Sequence, residues 1–214
     1  DKPAPLLYTN YRKLVYNGGI PMAASAKLNT RRLAVCAVMA AVMCIIAPVS
    51  IPIGPISITG GTLAIYLSVY LLGGAWGTAS VLVYLLVGFV GAPVFSNYMG
   101  GAARLLGPTG GYLVGYLPMA FLAGLIIQQT WPLSGREKKS AARALAVQLL
   151  AMVLGTALLY AFGTAWYCFQ AGVDLQKALA ACVFPFIPFD LLKMAAALLL
   201  GFPLRRRLEQ AGLL

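Results

Sequence analysis

TLAIYLSVYLLGGAWGTASVLVYLLVGFVGAPVF, residues 62–95, carries no charged side chain. Wound as one α-helix at 1.5 Å per residue, it would be roughly 50 Å long, against a hydrocarbon core of about 30 Å. A single crossing cannot hold it. Gly73, Gly74 and Gly77 stand near its middle, and clustered glycines punctuate a helix. The run reads as two short helices, about 62–75 and 77–92, joined by a tight turn.

The same reading extends outward. The chain is 61% hydrophobic and 10% charged, where a soluble domain is about 25% charged. Further charge-poor stretches lie at about 33–47, 110–129, 144–169 and 189–204, giving six predicted spans in an all-α integral membrane protein. Pro48, Pro52 and Pro55 stop the first span, and 48–61 reads as an irregular loop. Residues 93–109, rich in Gly and Pro, form a second such loop. Residues 171–182 read as a short amphipathic segment with Asp174 and Lys177 on its polar side, and Pro185 and Pro188 mark a break before the last span. The chain divides into a polar N-terminal segment (1–30), a six-helix membrane domain (31–207) and a C-terminal tail (208–214). Residues 1–21, ahead of Met22, are set aside as an appended or processed start.

The net charge of +11 is not a nucleic-acid footprint, because the basic residues cluster at the ends of apolar runs. Arg31 and Arg32 precede the first span; Arg136, Lys138, Lys139 and Arg143 follow the fourth; Arg205, Arg206 and Arg207 close the sixth. With six spans and a cytoplasmic N-terminus, all three clusters fall inside, as positive-inside topology requires, and contact with anionic lipid accounts for them. Both termini are then cytoplasmic. The segments 48–61, 93–109 and 171–188 fall outside, with Arg104 and Lys177 as the exceptions to the charge rule. Irregular backbone near membrane depth persists where protein buries it or where it lines a cavity, so three such segments on one side predict an outward-facing pocket.

The residue inventory excludes several chemistries. There is no histidine, and only five side chains are acidic, which removes His-based triads and zinc sites and leaves little for paired-carboxylate catalysis. The four cysteines form no CxxC pair and read as small core residues. No GxxxxGK[ST] phosphate loop is present, so the chain does not hydrolyse ATP itself. The expectation is no enzyme, no catalytic residue, no metal and no cofactor. Candidate pocket residues are Thr59, Thr62, Asn97, Arg104, Thr109, Tyr112, Asp190 and Lys193. Asp190 and Lys193, three apart at the start of an apolar helix, share a face. Ionisable residues in a span are costly, and this spacing fits either a ligand pair or a self-neutralising ion pair. In the first span Ala37 and Ala41 form a small-xxx-small pair suited to close helix packing, within this chain or against another subunit.

Two runs give these features a context: Leu106-Gly107-Pro108-Thr109-Gly110-Gly111-Tyr112-Leu113, and Phe184-Pro185-Phe186-Ile187-Pro188-Phe189-Asp190-Leu191-Leu192-Lys193. With Pro52-Ile53-Gly54-Pro55-Ile56 and Gly88-Phe89-Val90-Gly91-Ala92-Pro93-Val94-Phe95, they resemble the BioY family, the biotin-specific S components of energy-coupling factor transporters, over about residues 30–205. The resemblance implies the six-helix S-component fold and high-affinity biotin capture at the outer side, with biotin as transported ligand. It implies Asn97, Asp190 and Lys193 as ligand residues, with Arg104, Thr62 and Tyr112 beside them. One departure is Gly61, which stands where the family often has glutamine. A carboxylate accepts from ureido N–H groups, an amide side chain both donates and accepts, and a cation holds the valerate carboxylate; the sequence leaves open whether Lys193 or Arg104 does so. The resemblance further implies a membrane coupling subunit and two ATPase subunits as partners, docked on the Ala37/Ala41 face. Two rivals are a secondary transporter working alone, with Asp190 carrying a proton, and an S component for another vitamin.

Overall fold

The computed structural model describes residues 30–53, 56–131 and 138–214, with the side chains of 138–141 excepted. The expected N-terminal polar segment through residue 29, and Arg136, Lys138 and Lys139 of the basic loop, lie outside the described residues or side chains. The regular structure of the described residues is helical apart from one hairpin. Its elements are α1 (Thr30–Ile46), β1 (Ser50–Ile53), β2 (Ile56–Thr59), α2 (Gly61–Phe89), a 3-10 turn (Ser96–Tyr98), α3 (Ala102–Leu106), α4 (Gly110–Thr130), α5 (Lys138–Ala171), α6 (Leu175–Cys182) and α7 (Ile187–Gln210). Among the described residues, four stretches are long and apolar enough to cross a membrane: Gly61–Phe89, Gly110–Thr130, Ala142–Ala171 and Ile187–Gln210. At 17 residues, α1 stands at the lower limit of about 17.

The opening run is a helical hairpin. Gly73 has φ 79° and ψ −169°, a conformation essentially restricted to glycine. In a straight helix Ser68 and Ser80 would stand roughly 18 Å apart, yet their hydroxyls are hydrogen-bonded at 2.5 Å. Residues 61–72 and 74–89 therefore fold back on each other. The break frees backbone groups at membrane depth, and the Gly74 N–H donates to Gln128 Oε1 of α4 at 3.2 Å, which satisfies one of them. A Cβ on Gly124 would stand 2.7 Å from the Gly74 Cα; the two glycines let α4 approach the turn at backbone distance. Six apolar helical segments result, with boundaries close to those read from sequence, although the turn falls at Gly73 and the second half stops at Phe89.

Two expectations need correction. Segment 48–61 is not irregular: β1 and β2 pair antiparallel, Ser50 with Thr59 and Ile53 with Ile56. The stretch Ser50-Ile-Pro-Ile-Gly-Pro-Ile-Ser-Ile-Thr59 alternates β-branched residues about a Gly-Pro pair, a hairpin pattern. Pro52 is tolerated because both strands of a two-stranded ribbon are edges. Segment 93–109 contains the 3-10 turn and α3, fastened to α2 by Phe95, which is fully buried and packs edge-on against Tyr84 at 5.7 Å. The amphipathic segment is helix α6, capped by Asp174, whose carboxylate accepts from the Gln176 N–H. The last helix runs on to Gln210, three residues into the expected tail.

The core gathers Met43, Ile65, Tyr66, Val69, Tyr70, Tyr84, Met119 and Met152. Its polar groups are paired in a ladder between α2 or α4 and α5. Tyr66 bonds Thr156 and donates to the Met152 carbonyl. Tyr70 donates to Gln148 at 2.7 Å, and Tyr112 bonds Thr164 at 2.8 Å. Among the described residues no buried side-chain nitrogen or oxygen lacks a partner, as a low-dielectric core demands.

Candidate ligand cleft

Asp190 lies in the first turn of α7, with Ile187-Pro188 opening the helix. Proline suits that position because its missing N–H would be unpaired there anyway. The Asp190 side chain is buried at 5% exposure and accepts from three elements at once. Lys193 Nζ, one turn on, donates to Oδ1 at 2.9 Å. Thr62, at the start of α2, donates to Oδ1 at 3.3 Å. Tyr160 of α5 donates to Oδ2 at 2.5 Å.

This cluster forms one lobe of a cleft, lined also by Tyr112, Tyr116, Leu159, Cys182 and Phe186. A second lobe is lined by Arg104, Ser96, Thr109, Tyr84 and Leu113. Ile56, Ser57, Thr59, Tyr112 and Tyr116 line both, so β2 and the two tyrosines of α4 form the shared wall. The two lobes enclose about 50 and 40 Å³. Arg104 Nη2 donates to the neutral Ser96 hydroxyl at 3.3 Å. The backbone between α3 and α4 is held by Trp166, whose indole donates to the Gly107 carbonyl at 3.1 Å, and by Gln170, whose amide donates to the Leu106 carbonyl at 3.1 Å.

Of the residues chosen from sequence, Thr62, Asp190 and Lys193 meet in one lobe, Arg104 lines the other, and Tyr112 lines both. Tyr112 contributes its ring, since its hydroxyl is bonded to Thr164. Asn97 is placed differently. It is exposed and lines neither lobe. Its Oδ1 accepts from Ser50 at 2.9 Å, its Nδ2 donates to Ser57 at 3.0 Å, and its backbone N–H donates to Ser50 at 2.9 Å. Its φ of 59° is left-handed, a region that asparagine tolerates better than most residues. Its short polar side chain thus clamps the β-hairpin.

Tyr160 and Ser57 were missed. Tyr160 belongs to a readable series on α5: Gln148, Thr156, Tyr160 and Thr164 share a face through four- and eight-residue spacings. That polar stripe in an apolar helix faces protein, not lipid. Ser57 was hidden when the hairpin was taken for an irregular loop.

The model of the BioY family matches residues 22–210, a span that takes in both lobes and every helix. The chain belongs to the BioY family. It is similar to the biotin transporter BioY of Thermotoga maritima, 39% identical over 142 residues, covering 66% of this chain and 76% of that one. It is also similar to biotin transporter BioY2 of Lactococcus lactis, 32% identical over 151 residues, covering 71% and 77%. A crystal structure of the S-component for biotin from an ECF-type ABC transporter superposes with a TM-score of 0.74 at 29% identity, over 86% of this chain and 95% of that one. BioY proteins are membrane transporter components, not enzymes, and this member is a multi-pass protein of the prokaryotic plasma membrane.

Proposed function

We propose that this BioY chain is the high-affinity substrate-capture subunit of a biotin uptake transporter. The observation that carries the reading is the pairing of Lys193 with Asp190 in one lobe, while Arg104 in the other has a neutral partner. Biotin has the matching asymmetry, a flat ureido head at one end and a carboxylate at the other. A carboxylate has about four acceptor sites, and Asp190 uses three. A ureido N–H takes the fourth, or displaces Thr62, whose 3.3 Å bond is the longest. Lys193, already neutralised, donates to the ureido carbonyl. Arg104 then holds the valerate through charge-assisted bonds. Tyr84, Tyr112, Tyr116 and Leu113 supply apolar walls for the ring and tail. Asn97 acts through the hairpin.

Six crossings with both ends cytoplasmic put this cleft on the outer side. The six apolar helical segments and the placement of basic clusters support that topology. Energy comes from a membrane coupling subunit and two ATPase subunits. Ala37 and Ala41 are exposed on α1, while Cys36, Met39, Ala40 and Met43 are buried, so α1 turns its small-xxx-small pair away from its own core and toward such a partner.

The test is calorimetric titration of the purified chain with biotin, thiamine and riboflavin, then with biotin and a biotin amide on Arg104→Ala. Stoichiometric binding of biotin alone is expected. Arg104→Ala should weaken biotin by about tenfold or more, the loss of a hydrogen bond to a charged group, and leave the amide unchanged. Binding of another vitamin, or equal loss of biotin and amide, would count against the assignment.

A further inference from the structure

A space larger than either lobe of the cleft lies elsewhere among the described residues. It is a groove of about 610 Å³ between α1 and α7, lined by Ala34, Val35, Val38, Leu71, Leu204 and Leu208, with Arg31 at its end. Apart from Thr30 and Arg31, every lining residue is apolar, and Val38 is 59% exposed. Its position is the end of the molecule where α1 begins and α7 finishes. Arg31 there donates to the Gly212 carbonyl at 2.7 Å, which fastens the two termini across the groove mouth.

The charge at that mouth is one-sided. Arg31, Arg32, Arg205, Arg206 and Arg207 gather at these two helix ends, and Glu209 is the one carboxylate among their side chains. Glu209 is used by Arg205 at 3.1 Å. Arg205 is also turned inward, donating to the Tyr70 carbonyl at 2.9 Å and lying 4.4 Å over the Trp131 ring. Arg32 and Arg207 are exposed, and Arg207 lies three residues beyond Leu204, on the side of α7 that borders the groove.

An elongated apolar channel ending in exposed guanidinium groups is complementary to a molecule with a hydrocarbon chain and an anionic head. We propose that the groove is a binding site for one anionic phospholipid, its acyl chain along Val38 and Leu204 and its phosphate on Arg32 and Arg207. Basic pockets between transmembrane helices on the cytoplasmic side take such headgroups. The assignment rests on membrane residence, not on the ligand of the outer cleft.

Native mass spectrometry of the full chain in mild detergent tests it, with phosphatidylglycerol and phosphatidylcholine of matched chains and with glycerophosphoglycerol as the headgroup alone. One phosphatidylglycerol should be retained in preference to phosphatidylcholine, and the headgroup alone should not be. Val38→Trp, which fills the groove from its exposed side, should abolish retention, and Leu204→Trp does the same from α7 should the first variant fold poorly. Arg32→Ala and Arg207→Ala should each weaken phosphatidylglycerol about fivefold, the contribution of one basic residue at a membrane surface, and leave phosphatidylcholine unchanged. Equal retention of both lipids, retention of the headgroup alone, or phosphatidylglycerol retained by both tryptophan variants would overturn the proposal.

Discussion

Replacing Asp190 separates its structural work from its work on ligand. The carboxylate is 5% exposed and holds Lys193 at 2.9 Å, Tyr160 at 2.5 Å and Thr62 at 3.3 Å. Asp190→Ala leaves the ammonium of Lys193, itself 15% exposed, without its counter-charge. Breaking a buried pair from one side costs about 3–5 kcal/mol, and the residual exposure of Lys193 puts the expected loss at about 3 kcal/mol. Asp190→Ala/Lys193→Met removes both charges and fills the volume with an apolar chain, a change that is often neutral, so it should recover most of that stability. Biotin binding behaves differently. A ureido hydrogen bond to a charged acceptor, at about 1.5–3 kcal/mol, corresponds to roughly 10–150-fold in affinity, and neither variant can make it. The assay is thermal unfolding and biotin calorimetry on the parent, both single variants and the double. The double variant should be near the parent in stability and no tighter than Asp190→Ala in affinity, because it also lacks the Lys193 donor. A double variant that binds biotin like the parent would refute the ligand role, and an Asp190→Ala protein as stable as the parent would refute the buried-pair argument.

Tyr160→Phe removes one charge-assisted bond to Asp190 and keeps the ring, so biotin affinity by calorimetry should fall about tenfold, the equivalent of roughly 1.5 kcal/mol, with the fold intact. Gly73→Ala should lower stability by about 1–3 kcal/mol, read by thermal unfolding, because φ is 79° and the new Cβ would stand 2.4 Å from Gln128 Oε1. Ala37→Trp, at an exposed position of α1, should leave biotin binding unchanged and abolish uptake in cells carrying the partner subunits; equal loss of both would remove α1 as the docking face.

The apolar helices were legible because charge exclusion from hydrocarbon acts on composition, which a sequence displays directly. The break at Gly73 was legible for a related reason: a charge-free run too long for one crossing must turn, and only glycine takes that backbone. Asp190 and Lys193 stood out because ionisable residues are rare in such a helix. Of their partners, Thr62 was named as a candidate but not paired with Asp190, and Tyr160 was not named. Thr62 and Tyr160 reach Asp190 across 128 and 30 residues, and pairing at that separation is set by helix packing, which composition does not encode. The hairpin was lost because its prolines, read as breakers, masked the alternation of Ile51, Ile53, Ile56 and Ile58. Asn97 was named as a pocket residue from its loop and as a ligand residue by resemblance, and its contacts depend on that same hairpin.

We predict that the hairpin opens to admit ligand. Lobes of about 40 and 50 Å³ are far below the roughly 300–1,000 Å³ of sites that hold small molecules, so a wall must move to admit one. Helices α2, α4, α5 and α7 pack on one another through the buried core and its polar ladder, and α3 and α6 add Arg104 and Cys182 to the lining. The β2 wall has β1 as its ladder partner, and the pair is tied to the 3-10 turn by Asn97 through exposed bonds. Those bonds are worth the least in water, and local opening draws on such low-stability elements. Ser50→Ala removes the hydroxyl that both donates to Asn97 Oδ1 and accepts from its N–H, each at 2.9 Å, without touching either lobe. At about 1 kcal/mol net, it should raise the open population, and with it the biotin association rate in stopped-flow fluorescence, by about fivefold. An unchanged association rate with unchanged affinity would mean that ligand enters past a helix, and that the clamp holds the hairpin for stability alone.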